Sequence, residues 1–193
     1  MHSPQKREKK VEVPGMTDAI TLKPVGRVKN QIKEPLIFSH ENGLELKEEL
    51  SVFYEKISEI KQLTSEIIIN PARNDLLNGI EEYSHLIVFY WGHKTPASGR
   101  ALNQVHPMGV KELPLTGVFT TCSPARPNPL LMTVVKLVER KQNVLTVMGL
   151  DALDQSPVLD IKPYVKDLFP QEQVTTPAWM HEIMQQARER ESA

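Results

Sequence analysis

Six short segments of this chain are built from Val, Ile, Leu, Thr and aromatic residues and are punctuated by Gly, Pro, Asn or Asp. They are Glu66–Asn70 (EIIIN), His85–Trp91 (HLIVFYW), Thr116–Thr120 (TGVFT), Leu131–Val138 (LMTVVKLV), Val144–Leu150 (VLTVMGL) and Val158–Ile161 (VLDI). Side chains of this kind suit a pleated, half-buried surface, and the punctuation predicts strands rather than helices. KPVGRV, at residues 23–28, adds an opening strand. Many strands with short connections predict a closed barrel or a sandwich. Two helices interrupt this mainly β pattern. Leu46, Leu50, Phe53, Ile57 and Ile60 recur at helical spacing, which predicts an amphipathic helix inserted at about 44–63. Thr176-Pro177 reads as a helix start, followed by an apolar stripe of Trp179, Met180, Ile183, Met184 and Ala187. A short helix or turn is expected over 72–80.

Composition narrows the classes. At 193 residues the chain suits one globular domain with appendages: a polar tail over 1–20, a β domain over 21–170 and a terminal helix over 171–193. One Cys excludes a disulfide framework and a cysteine-built zinc site. The six His form no H-x-x-x-H pair, so no metal is expected. No apolar run approaches the ~18 residues of a membrane span. The basic start MHSPQKREKKVEV has no apolar stretch behind it, so a secretory signal is not read and a cytoplasmic setting is expected. Neither G-x-G-x-x-G nor a P-loop occurs, so any nucleotide-like cofactor must be held without a Rossmann turn.

Two blocks carry chemical potential. TGVFTTCSPARPNPLL, at 116–131, runs from an apolar segment through a loop with Pro124, Pro127 and Pro129 into another apolar segment. Proline fixes φ, and a loop stiffened in advance loses less entropy when it closes on a ligand. A rigid connector is the alternative. GLDALDQSPVLDIKPY, at 149–164, places Asp151, Asp154 and Asp160 within ten residues. A carboxylate at a strand end can accept ribose hydroxyls, while turn formation alone also explains Asp and Ser-Pro. Cys122 has no visible His partner that would make it a nucleophile. The segment 92–138 carries Lys94, Arg100, Lys111, Arg126 and Lys136 against Glu112, although the whole chain has a net charge of −1. That local excess suits a phosphate-bearing partner such as RNA, or an ordinary solvated surface.

Four blocks in order, KPVGRV, YSHLIVFYWGH, GVFTTCSPARPNPLL and DALDQSPVLDIKPY, resemble the TsaA-like family from about Lys23 to Tyr164. Its TrmO-type members are tRNA methyltransferases. The family's hallmark reads G-V-F-A-T-R-S-P-x-R-P-N-P-I-G, then a strand, then D-x-x-D-G-T-P-V-x-D-I-K-P-Y. The resemblance implies a small closed β-barrel of non-Rossmann type that binds S-adenosyl-L-methionine, as a homodimer with the site near the subunit interface. It implies N6-methylation of threonylcarbamoyl-adenosine beside a tRNA anticodon. Carried over by position, the cofactor contacts fall on Gly92, His93, Cys122, Arg126 and Met132, and on the strand end Met148, Gly149, Leu150 and Asp151. Asp154 or Tyr164 is the expected proton acceptor.

The departures fall on the site. Cys122 stands where the family has Arg, Leu131 where it has Gly, and DQSP where it has DGTP; its Gln-Pro-Gly segment is not evident between residues 29 and 43. Losing one charge-assisted hydrogen bond costs roughly 1.5–3 kcal/mol, about ten- to a hundred-fold in affinity. Arg126 or another cation is left to compensate, or the cofactor sits differently. Two alternatives therefore stand beside tRNA methylation: methylation of a small molecule, and a non-catalytic sensor of S-adenosyl-L-methionine. A partner-docking role is a further reading of the helix at 44–63.

Overall fold

A computed structural model describes residues 20–191. The tail read over 1–20 therefore lies, except for Ile20, outside the described residues. The body is a closed barrel of six antiparallel strands: β1 (Gly26–Lys29), β4 (Thr64–Ile69), β5 (His85–Trp91), β8 (Leu130–Lys141), β9 (Val144–Met148) and β10 (Pro157–Pro163). Around the wall the order is β1-β10-β5-β8-β9-β4, with β4 closing back onto β1. Strand alternation fills the interior: Val28, Ile67, Leu86, Val88, Val135, Leu145, Val147 and Val158 point inward and are buried. Leu150 closes this core at one end. Register shifts between Leu137 and Glu139 in β8, and between Val158 and Asp160 in β10, bend the wall so that it can close.

A small lobe leans on this barrel. Its parts are the hairpin β2 (Ile37–His40) and β3 (Gly43–Leu46), the short helix α2 (Ala97–Arg100), and the two-residue strands β6 (Gln104–Val105) and β7 (Thr116–Gly117). Leu44, Val105 and Ala125 form its buried centre. Two glycines allow the approach. A Cβ on Gly99 would lie 2.2 Å from the Ser39 hydroxyl, and one on Gly109 would lie 2.4 Å from the Leu44 carbonyl oxygen.

Two sequence expectations are corrected here. The helix expected at 44–63 is α1 (Leu50–Gln62), and residues 43–46 belong to β3. Asn42 lies in a two-residue turn, and Gly43, at φ 137°, opens the returning strand. Leu44 and Leu46 thus follow a two-residue period before the helical one begins. Helix α1 buries Tyr54 and packs against the terminal helix α3 (Ala178–Glu191). In the segment TGVFT only Thr116 and Gly117 pair as strand, and Val118–Thr120 is a single 3₁₀ turn. Bonds from the Thr120 hydroxyl to the Gly117 carbonyl and from Arg126 to the Val118 and Thr121 carbonyls compete with a ladder there.

Candidate active site at one mouth of the barrel

Antiparallel winding sends the C-terminal ends of β1, β5 and β9 and the N-terminal ends of β4, β8 and β10 to the same rim. Three sequence blocks far apart in the chain therefore meet there. After Trp91 the chain turns at Gly92, whose amide donates to the Pro129 carbonyl at 2.8 Å. A side chain at 92 would crowd Thr95, Leu131 and Pro129, so glycine lets the end of the proline loop dock. His93 follows, with Nδ1 3.2 Å from the Ser156 hydroxyl, itself 1% exposed. The Gly92–His93 corner thus bridges the proline loop and the acidic turn.

The acidic turn leaves β9 at Met148. Gly149 takes φ 85°, a left-handed conformation suited to glycine, and its amide donates to the Leu63 carbonyl. Leu150 drops into the core, and Asp151 stays exposed at the rim. One carboxylate oxygen of Asp151 accepts from the Tyr90 hydroxyl at 2.7 Å and from the Thr133 hydroxyl. Asp154 points the other way. It accepts from the Asn30 amide at 3.0 Å and pairs with Lys33 at 2.6 Å. The Lys33 ammonium, aided by the Asn30 amide, lowers its pKa to about 2. Burial and, after it, Lys94 lower the His93 pKa, which favours a neutral imidazole.

Asn30 gave no signal in the sequence, yet it joins this rim together. Its side chain donates to the Ser65 hydroxyl at 3.1 Å and to the Ala152 carbonyl at 2.9 Å, and accepts from the Ile32 amide at 3.0 Å. The following residues cross beside the mouth. Lys33 is held to Asp154, and Glu34 to Lys94 at 3.0 Å. A single Asn between Lys and Gln carries no recognisable pattern; only partners 35 and 122 residues away reveal its role.

The expected residues divide by place. Gly92, His93, Met148, Gly149, Leu150, Asp151 and Asp154 gather at the mouth. Met132 lies on the outer face of β8, opposite Phe89, and is 53% exposed. Cys122 is exposed in the proline loop. Arg126 is turned into its own loop: Nε donates to the Ser123 carbonyl at 2.9 Å, and the terminal nitrogen donates to that of Thr121 at 2.6 Å. It braces the loop instead of standing in for an arginine at 122. Tyr164 is not brought together with Asp154. It follows the far end of β10, stacks on Phe169 and donates its backbone amide to the His85 carbonyl at the start of β5. About six residues of strand separate it from Val158, roughly 20 Å at ~3.3 Å per residue. The cations of the basic segment 92–138 have different surroundings. Lys94 is paired with Glu34, Arg100 lies over the Trp91 ring, Lys111 lies in a turn and Lys136 on β8. Among the described residues no group of three His, Cys, Asp or Glu could hold a metal, and no helix is long and apolar enough to cross a membrane.

Comparison with known proteins covers the same elements. A probable S-adenosyl-L-methionine-binding protein of Pyrococcus abyssi is 35% identical over 155 residues, covering 80% of this chain and 73% of that protein. The human tRNA (adenine(37)-N6)-methyltransferase is 30% identical over 171 residues, 85% of this chain but only 37% of the human protein. The crystal structure of TrmO from Pseudomonas aeruginosa superposes with a TM-score of 0.59 at 22% identity, over 84% of this chain and 62% of that one, which establishes the shared fold. Residues 55–168, from α1 through the acidic turn and β10, match the model of the tRNA-methyltransferase O N-terminal domain. Because that model matches more than half of the chain, the chain belongs to that family.

Proposed function

We infer that the chain is an S-adenosyl-L-methionine-dependent methyltransferase whose mouth, between Gly92–His93 and Met148–Asp151, holds the cofactor. The match of the family model across the residues that build this rim carries the reading. Charge at the rim fits the group. Lys33 and Lys94 are neutralised by Asp154 and Glu34, so of these three rim carboxylates Asp151 is the one that makes no ion pair with a described residue. One acceptor-rich anion and a neutral imidazole suit a sulfonium cation attached to a hydroxylated nucleoside. The cofactor supplies an activated methyl, so the protein's task is alignment, worth up to ~7–11 kcal/mol.

Asp154, with its pKa near 2 and its oxygens engaged, serves as an anchor for residues 30–33. His93 is the better proton acceptor. Its imidazole is neutral, and Nε2 is left open when Nδ1 faces Ser156. The substrate we propose is tRNA, methylated at N6 of the threonylcarbamoyl-adenosine beside the anticodon; the human and mouse relatives, named tRNA (adenine(37)-N6)-methyltransferase, support N6 of a tRNA adenine as the acceptor, and the threonylcarbamoyl group rests on the family resemblance. Leu130, Met132 and Val134 form an exposed apolar stripe on β8 next to the mouth, which supports pairing of two copies across that face. The test is transfer of labelled methyl from S-adenosyl-L-methionine to total tRNA lacking the modification, with digestion to nucleosides. Label on N6 of the modified adenosine is the expected result. Label only on small acceptors refutes the tRNA substrate.

A sensor is the second reading, because Cys122 offers no charged fork and Arg126 is committed to its own loop. Tight cofactor binding with no transfer to any RNA would select it.

A further inference from the structure

The geometry points to Tyr90 and Thr133 as the residues that position the Asp151 carboxylate to accept the vicinal hydroxyls of a ribose. This rests on the mouth being the cofactor site proposed above. Tyr90 lies on the inward face of β5 and is only 4% exposed. Its hydroxyl nevertheless reaches Asp151 Oδ1 at 2.7 Å. Thr133, on the neighbouring strand β8, donates to the same oxygen, and the two hydroxyls lie 3.5 Å apart. Asp151 Oδ2 makes no hydrogen bond to any described residue, and Asp151 is exposed.

Packing alone does not ask for this. Phe at 90 and Val at 133 would fill the same wall without placing hydroxyls in a low-polarity interior, where an unpaired one is costly. Both hydroxyls are aimed at one oxygen of a carboxylate that solvent could otherwise satisfy. Held through Oδ1, the carboxylate cannot rotate freely, and Oδ2 keeps its acceptor sites directed outward. Acidic residues at strand ends accept ribose hydroxyls in this way in other nucleoside sites. Burial, reinforced by the charge of Asp151, pushes the Tyr90 phenol far above its ordinary pKa, so it remains a donor wherever the protein is folded.

Calorimetry on the full chain tests the assignment with two ligands, S-adenosylhomocysteine and its 2′,3′-dideoxy counterpart. Wild-type protein should bind the dideoxy ligand about ten-fold more weakly, the loss of a hydrogen bond to a charged group. Thr133→Val and Tyr90→Phe should each weaken S-adenosylhomocysteine about ten-fold while leaving the dideoxy ligand unchanged, and Thr133→Ser should restore the wild-type value. Equal weakening toward both ligands would mean a merely structural role and overturn the inference. So would variants that bind like wild type, or a wild type indifferent to the ribose hydroxyls, a result that needs no variant to fold. Wild-type protein that binds neither ligand overturns the site reading as well, which separates the two failures.

Discussion

Replacing Asn30 by Ala should loosen the whole rim of the mouth. The substitution removes three hydrogen bonds, to Ser65, Ala152 and Ile32. Ser65 is 2% exposed, so its hydroxyl loses its partner in the interior. Leaving one buried polar group unsatisfied costs roughly 1–3 kcal/mol, and the other two bonds, which water can partly replace at the rim, add about 0.5–1 kcal/mol each. The expected loss is therefore about 2–5 kcal/mol. With a urea slope of about 2 kcal/mol/M, typical of a small protein, the unfolding midpoint falls by about 1–2.5 M at unchanged slope. Affinity for S-adenosylhomocysteine should fall with it, because the Ala152 carbonyl belongs to the turn that presents Asp151. Asn30→Asp discriminates the mechanism. It keeps an acceptor for the Ile32 amide but turns an oxygen toward the Ala152 carbonyl and adds a charge near Asp154. It should be at least as damaging as Asn30→Ala. An Asn30→Asp protein as stable as wild type, or an Asn30→Ala loss below about 1 kcal/mol, would refute the reasoning.

Gly99→Ala puts a Cβ 2.7 Å from the Cβ of Ser39, so the hairpin must shift. A cost of about 1–3 kcal/mol is expected in thermal unfolding, and Ser39→Gly in the same chain should recover most of it; a double variant no better than the single one contradicts the contact. Asp154 titrates at about 2 when folded against an ordinary 3.8, so its pairing stabilises the protein above that ordinary value and is lost as pH falls through about 2. The gap in thermal midpoint between wild type and Asp154→Asn should hold near neutrality and close over that acid range; a gap unchanged at pH 2 would exclude the pairing. Arg126→Ala frees the carbonyls of Val118, Thr121 and Ser123. Amide exchange over 118–126 should quicken about ten-fold or more while the barrel strands keep their protection, and equal exchange in both proteins would show that the prolines alone hold the loop.

The strands that needed only local pattern were visible in the sequence. HLIVFYW at 85–91 is β5 residue for residue, because an unbroken β-branched and aromatic run bounded by Ser84 and Gly92 has no competing local structure. The order of blocks that placed the chain in its family also belongs to the sequence. Where two local codes overlapped, pattern misled. Leu46 fits the helical stripe that continues from Leu50, and the turn that opens the returning strand at Gly43, with φ 137°, assigns it to that strand instead.

Which expected residues stand together was decided by closure of the sheet. The acidic turn and the Gly92–His93 corner share a rim because antiparallel winding brings the ends of β5 and β9 to the same side. Asp154 and Tyr164, ten residues apart in one motif, are sent to opposite ends because β10 runs the height of the barrel between them. Arg126 and Asn30 exchange importance for the same reason. Composition makes an arginine in a proline loop conspicuous and an isolated asparagine ordinary. The fold commits the arginine to carbonyls within eight residues and the asparagine to partners across the barrel rim. Residue type and local spacing determine the strands and the kind of chemistry available, whereas the distances at which side chains can act depend on long-range pairing.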